Sequence, residues 1–264
     1  MNHSRIGVDH LETLSFTRKD MANLLLSLKE NSNRSPRSII QDIWRANHQS
    51  DMSQASSMSA FISTSLPPII EKMIRSDVNP TLSLQDIVSL GTLIEYTHFS
   101  ITSVQNWVKR DFKNIIGHAE AGKKYSLQQI ALFLIIEDLR STLDYDTIRK
   151  FFQIIFRLSN HEKANLHTIT PLHFYTAYAG LFEEIDERFR SHIGDHTDFG
   201  YKWDKMINEI AKDYVTSTMD LSNEQKETLQ TAIYVALTSV HTSCFQSLSR
   251  RYVNGLVFLH NLHE

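Results

Sequence analysis

The chain has 264 residues, 41% of them hydrophobic and 22% charged, with a formal net charge of −3. That length buries a real core in one large domain or in two to three small ones, the composition is that of a globular chain, and the slight acidity rules out a globally basic nucleic-acid coat while leaving room for a local patch. Eight glycines, five prolines and a single cysteine, Cys244, are too little punctuation for a strand-and-turn fold and allow no intrachain disulfide, so a mostly helical protein of a reducing compartment is expected.

The first residues, "MNHSRIGVDHLETLSF", lack the apolar centre of a signal peptide. The longest apolar run, Ile130 to Ile136, is too short to span a bilayer. A cytoplasmic protein without a membrane segment is therefore expected. "DMANLLLSLKE" and "SIIQDIWRANHQ" read as helices. The Ser-rich stretch over 50–65 reads as a loop or weak helix. In "LPPIIEKMIRSD", Pro67 and Pro68 lead into a helix, where proline is tolerated in the first turn.

In the middle of the chain, Ser83 and Asp86 form a capping-box start to a helix over 84–97. The short helix in "SITSVQNWVKR" follows. Residues 112–125, "FKNIIGHAEAGKKY", hold two glycines between short apolar pieces and predict a small β-hairpin. Ser126 and Gln129 repeat the capping pattern ahead of "LQQIALFLIIEDLR". Ile148, Phe151, Phe152 and Ile155 then stand at i, i+3, i+4, i+7 of an amphipathic helix.

The last third is helical again and more acidic, with a net charge of −5 over residues 160–264. Leu172, Tyr175, Ala179, Phe182, Ile185 and Phe189 follow helical spacing, as do Trp203, Met206, Ile207, Ile210 and Tyr214. Ser222 with Gln225 is a further capping box. From Leu229 to Tyr252 an apolar residue recurs every three or four positions. A helix of about 30 residues, on the order of 45 Å, exceeds what one core requires. The stripe is expected to join two copies, with Gly255 as the stop; the alternative is a monomeric bundle in which Phe182, Ile185, Trp203 and Ile210 cover it. Cys244 reads as a buried structural thiol.

The short helix at residues 100–110 carries the functional reading. Thr102, Gln105, Asn106 and Lys109 share one face, and Ile101, Val104 and Val108 the opposite one, with Trp107 at the border. Thr102 is placed as its cap. Amides bond adenine edges, Lys and Arg bond guanine edges or phosphates, and hydroxyls do either. Lys109, Arg110, Lys113, Lys123 and Lys124 face only Asp111 and Glu120 over residues 101–125, a local net of +3. A short polar helix after a helix and tight turn is a helix-turn-helix pattern, and lysines at the tip of a hairpin suit a phosphate backbone.

Residues 98–152, "HFSITSVQNWVKRDF…AGKKYSLQQIALFLIIEDLRSTLDYDTIRKFF", resemble the winged helix-turn-helix of the MerR superfamily. Lys124-Tyr125-Ser126, Leu139-Arg140 and Leu143…Ile148 occupy the family's wing-to-helix and helix-end places. The chain also resembles an uncharacterised group from low-GC Gram-positive bacteria, a domain of unknown function with a MerR-like core, from about residue 66 to 160. The resemblance implies a recognition helix bearing Thr102, Ser103, Gln105, Asn106, Lys109 and Arg110, and backbone contacts from Lys113, Lys123 and Lys124. Trp107 and Tyr125 pack the core beneath. The sequence departs from the family in having Asn106-Trp107 where recognition helices often carry an Arg-Tyr-Tyr-type pair. It also lacks an obvious long dimerising coiled coil after the core.

The resulting expectation is an all-α protein with a small β-wing: an N-terminal helical region (1–80), a MerR-like winged helix-turn-helix (81–160) and a C-terminal helical domain (161–264) for dimerisation or sensing of an effector. The expected function is a bacterial transcriptional regulator binding double-stranded DNA as a homodimer; the rival is a helical interaction adaptor with a degenerate helix-turn-helix. His192, Asp195, His196 and Asp198 cluster, but Gly194 breaks the helix their spacing needs, and "HEKAN" at 161–165 lacks the second His of a zinc motif. No metal, cofactor or enzymatic motif is assigned.

Overall fold

A computed structural model describes residues 14–47, 66–76, 78–120, 122–157, 169–191, 199–218 and 221–261. Among them the protein is mostly helical with one two-stranded sheet. Helix α1 (Arg18–Ser27) starts on a capping box in which Thr17 and Asp20 each accept the other's backbone N–H, at 3.1 and 3.0 Å. Helix α2 (Pro36–Asn47) buries Ile39, Ile40, Ile43 and Trp44 along one face. Helix α3 (Pro68–Arg75) has Pro67 at its cap and Pro68 in its first turn, as the sequence predicts. The Ser-rich stretch over 50–65, the His/Asp cluster at 192–198 and "HEKAN" lie outside the described residues.

Strand β1 (Leu82–Ser83) runs into helix α4 (Leu84–Gly91), where Ser83 and Asp86 form the expected capping box. The helix ends at Gly91 rather than near residue 97. A Cβ at Gly91 would lie 2.4 Å from the Phe99 ring, so the chain turns back there against its own aromatic. Tyr96 takes a left-handed φ of 62° in that turn, and Ile94 makes a parallel bridge to Phe16.

Helix α5 (Ile101–Asn106) continues as a π-helical turn, Trp107–Asp111, and helix α6 (Lys113–Ile116) follows. This corrects the expected hairpin within 112–125. Phe112 and Ile116 are core residues, at 1% and 3% exposure, and hold the segment as a helical turn that ends at Gly117, φ 75°. Strand β2 (Lys124–Tyr125) instead pairs antiparallel with β1, Leu82 opposite Tyr125 and Ser83 opposite Lys124. A backbone bond, Glu120 N–H to the Lys124 carbonyl at 2.9 Å, closes the loop before it.

Helix α7 (Leu127–Leu139) is the axis of the molecule. Every residue of it except Gln128 is buried. Helices α4 and α6, α9 (Pro171–Ser191) and α11 (Asn223–Asn261) pack around it. Helix α8 (Tyr145–Arg157) contacts α11 and buries Ile148, Phe152 and Ile155, with Phe152 against Phe112. Helix α10 (Phe199–Thr218) lies along α11 and α9. One hydrophobic cluster runs from Leu14 to Val240, through all three parts of the chain.

Charge inside this core is paired. Asp138, on α7, takes two bonds from the Arg18 guanidinium, at 2.7 and 2.9 Å, and one from the Tyr178 hydroxyl at 2.7 Å. Burial works to lower the Arg18 pKa, but the Asp138 carboxylate outweighs it and holds the value above the ordinary one.

Helix α11 opens on the predicted Ser222–Gln225 box. It extends for 39 residues, on the order of 58 Å, and passes through Gly255 without stopping. Its first half, Leu229 to Ser243, is buried within its own bundle. That part of the stripe is therefore not open to a second copy, and Trp203 and the buried Ile185 and Ile210 belong to the same core.

Candidate nucleic-acid interface

The stretch Ser100–Asp111 is held by groups on both sides of it. Ser100, not Thr102, is the cap: its Oγ accepts the Ser103 backbone N–H at 3.1 Å and donates to the Ser103 hydroxyl at 2.8 Å. Just before it, the His98 N–H donates to Glu137 on α7 at 2.8 Å, and Arg140 bonds both the His98 carbonyl (3.1 Å) and Glu137. The entry to α5 is thus tied to the end of the central helix.

Val104 and Trp107 are both at 0% exposure. The Trp107 indole is enclosed by Phe99, Phe112 and Phe133, with centroids 6.3–6.4 Å away. Its Nε1–H donates to the Tyr145 hydroxyl of α8 at 3.1 Å. It therefore lies in the core rather than at the border of the apolar face. The π turn explains this. Phe112 N–H bonds the Trp107 carbonyl, five residues back, at 2.8 Å. Two aromatics five apart can then both point inward while Lys109 and Arg110 point out.

Thr102, Gln105, Asn106, Lys109 and Arg110 are exposed, as are Lys113, Lys123 and Lys124; Ser103 is half-buried and accepts from the Ser100 hydroxyl. Arg110 is not a free cation. It pairs with Asp111 at 2.7 Å, and that bond raises its pKa. Lys123, with φ 67°, and Gly122, with φ 50°, form the turn into β2. Tyr125, 8% exposed, packs edge-on to Phe133 at 5.5 Å and anchors that turn. Gln129 fixes the intervening loop, its amide N–H groups reaching the carbonyls of Ile116 (2.7 Å) and His118 (2.8 Å).

Two positioning residues carry no signal in the sequence. Arg149 of α8 donates to the Asp111 carbonyl at 2.8 Å and closes the end of the π turn, and Tyr145 receives the Trp107 indole N–H. Both partners lie 38 residues away, so no local pattern announces them.

A cavity of about 810 Å³ lies elsewhere, between α1 and the C-terminal helices. Its lining includes Phe182, Trp203 and His241, and the carboxyls of Asp20, Glu95 and Glu183. Burial raises Asp20 and Glu95 above the ordinary carboxylate range.

Fold and site together define a mostly helical protein with a minimal two-stranded sheet, which holds a short polar helix and a basic turn over an aromatic core. No described helix is long and apolar enough to cross a membrane. The chain belongs to the uncharacterised family of the domain of unknown function DUF1836, whose model matches residues 72–178. It is 33% identical over 180 residues to the uncharacterized protein YkrK of Bacillus subtilis (strain 168), an alignment covering 66% of this chain and 71% of that protein. No solved structure matches significantly.

Proposed function

We propose that the protein is a sequence-specific transcriptional regulator that binds duplex DNA as a homodimer. In this reading α4, the turn and α5 form the helix-turn-helix of a MerR-like winged domain, with the β1–β2 pair and its basic turn as the wing. The observation that carries it is the division of one short helix. Gln105, Asn106 and Lys109 are exposed on a face whose reverse is locked by the fully buried Val104 and Trp107. Side chains able to bond base edges are thereby presented from a rigid support, as groove reading requires. Lys113, Lys123 and Lys124, all exposed, meet phosphates in this reading. Arg110, already engaged by Asp111, contributes least among the cations.

Binding to random duplex DNA is expected to weaken steeply with salt. A Lys123→Ala, Lys124→Ala double variant should flatten the slope of log affinity against log salt by about 1 for each phosphate that the missing ammonium groups no longer neutralise. Once a preferred sequence is captured, Gln105→Ala or Asn106→Ala should cost about 1–3 kcal/mol at one base pair and relax specificity there. Absence of any shift at low salt, or variants that match the wild type in slope and specificity, would refute the reading and favour the helical adaptor.

A further inference from the structure

The far end of α11 is built unlike the rest of the molecule. Beyond Ser243 the helix keeps a few contacts with its own bundle, Cys244 against the core, Phe245 at the rim of the cavity beside α1 and Gln246 on the Ser141 carbonyl at 3.3 Å, and residues 250–261 are exposed without exception. Yet the segment is not polar. Phe245, Leu248, Tyr252, Leu256 and Leu259 are 36–79% exposed, and Val253, Val257 and Phe258 are each more than half exposed. A solvated helix end has no reason to carry so many large apolar groups, and a contiguous patch of this kind marks an interface.

The five residues Phe245, Leu248, Tyr252, Leu256 and Leu259 follow one another at intervals of three, four, four and three. At 100° per residue they fall within a narrow arc, the seam of a two-helix contact. The order of intervals is also the same read from either end, with Tyr252 at the centre. Two copies laid antiparallel therefore match Phe245 with Leu259, Leu248 with Leu256, and Tyr252 with itself. A two-fold interface demands this kind of self-complementarity.

We infer that the protruding end of α11 pairs antiparallel with the same segment of a second copy, about a two-fold axis at Tyr252. Two further observations select this occupant and this direction. In the antiparallel direction the buried first halves of the two α11 helices lie on opposite sides of the pair. The overlap, roughly 25 Å of helix, thus keeps the two bodies at opposite ends. Finally, the five seam side chains expose on the order of 500 Å² per copy. Two copies then bury on the order of 1,000 Å², the size at which a specific interface begins. The pairing stands on the exposed seam alone and does not need the DNA-binding reading.

The test uses the full chain and multi-angle light scattering at tens of micromolar, with circular dichroism to confirm folding. The wild type should run as a dimer. Leu248→Lys and Leu256→Glu should each give a folded monomer. The double variant, which places lysine opposite glutamate at both ends of an antiparallel pair, should recover the dimer and lose it again in high salt. A monomeric wild type, or single variants that remain dimeric, would overturn the interface. A double variant that stays monomeric would overturn the antiparallel register. DNA-shift assays on the same samples separate the two readings, because a dimer without DNA affinity leaves this inference standing and removes only the other.

Discussion

Helix α7 and the segment from Phe99 to Asp111 touch each other through Phe133 and Trp107, yet they are built on opposite terms. α7 is buried on nearly every side, and its charged residues Glu137 and Asp138 are both buried and bonded. The other segment is half core and half surface, its inner groups packed and its outer ones turned to solvent. In the first, almost any side-chain change is a change to the fold. In the second, position 107 belongs to the fold, while positions 105, 106 and 109 are exposed and can change without disturbing it. A chemical face can be read from a helix only when its reverse is fixed, and here α7 does the fixing, through Phe133 behind the helix and Glu137 and Arg140 at its entrance.

The largest expected break of that arrangement is Asp138→Ala. It leaves the Arg18 guanidinium buried without its anion and the Tyr178 hydroxyl without its acceptor. Removing one partner of a buried pair costs about 3–5 kcal/mol, a large share of a stability of about 5–15 kcal/mol. Urea unfolding followed by circular dichroism should show the midpoint falling sharply at an unchanged slope. A shift under about 1 kcal/mol would mean that Arg18 finds water or another acceptor, and that α7 is less closed than its burial implies.

How much of this is legible in the sequence depends on the distance over which each feature is decided. The boxes at Ser83–Asp86, Ser126–Gln129 and Ser222–Gln225 are settled within four residues, and all three form. The polar face of α5 is likewise local, and its residues are exposed as periodicity predicts. The cap is not: Ser100 and Thr102 both fit the rule, and the choice falls to Ser100, whose near neighbour His98 is bound to α7. The end of α4 depends on the Phe99 ring, and the pairing of β2 depends on a strand far upstream, where Leu82 meets Tyr125. The stripe on α11 shows the deeper limit. Periodicity reports that a face is apolar, not what covers it. The bundle covers the first half and leaves the second bare.

An intermediate effect is expected at Gly91→Ala, which touches neither α7 nor the polar face. The new methyl would meet the Phe99 ring, whose atoms lie 2.4–2.6 Å from its position. Phe99 must then shift, and it packs edge-on to Trp107. Overpacking of this kind costs about 1–3 kcal/mol. The strain enters the loop that orients α5, so any DNA affinity should fall by more than the loss of stability alone predicts. Hydrogen exchange would localise it, with protection lost over residues 99–111 before α7.

The smallest expected effect is Tyr145→Phe, and it separates support from recognition most sharply. The substitution keeps the ring that meets Phe112 edge-on at 5.1 Å and removes only the acceptor of the Trp107 indole N–H. A buried donor left unbonded costs about 1–3 kcal/mol. Tyr145 is only half-buried, so water reaching the vacated place offsets part of the loss and the expected cost is about 1 kcal/mol. The fold should be unchanged, while the indole N–H resonance of Trp107 moves and exchanges faster. If the Trp107 bond fixes the helix as well as the fold, affinity for a captured operator should fall while the salt slope set by Lys123 and Lys124 stays the same. Equal loss at every sequence with an altered slope would place the effect in the basic turn instead, and Tyr145 would have no part in aiming α5.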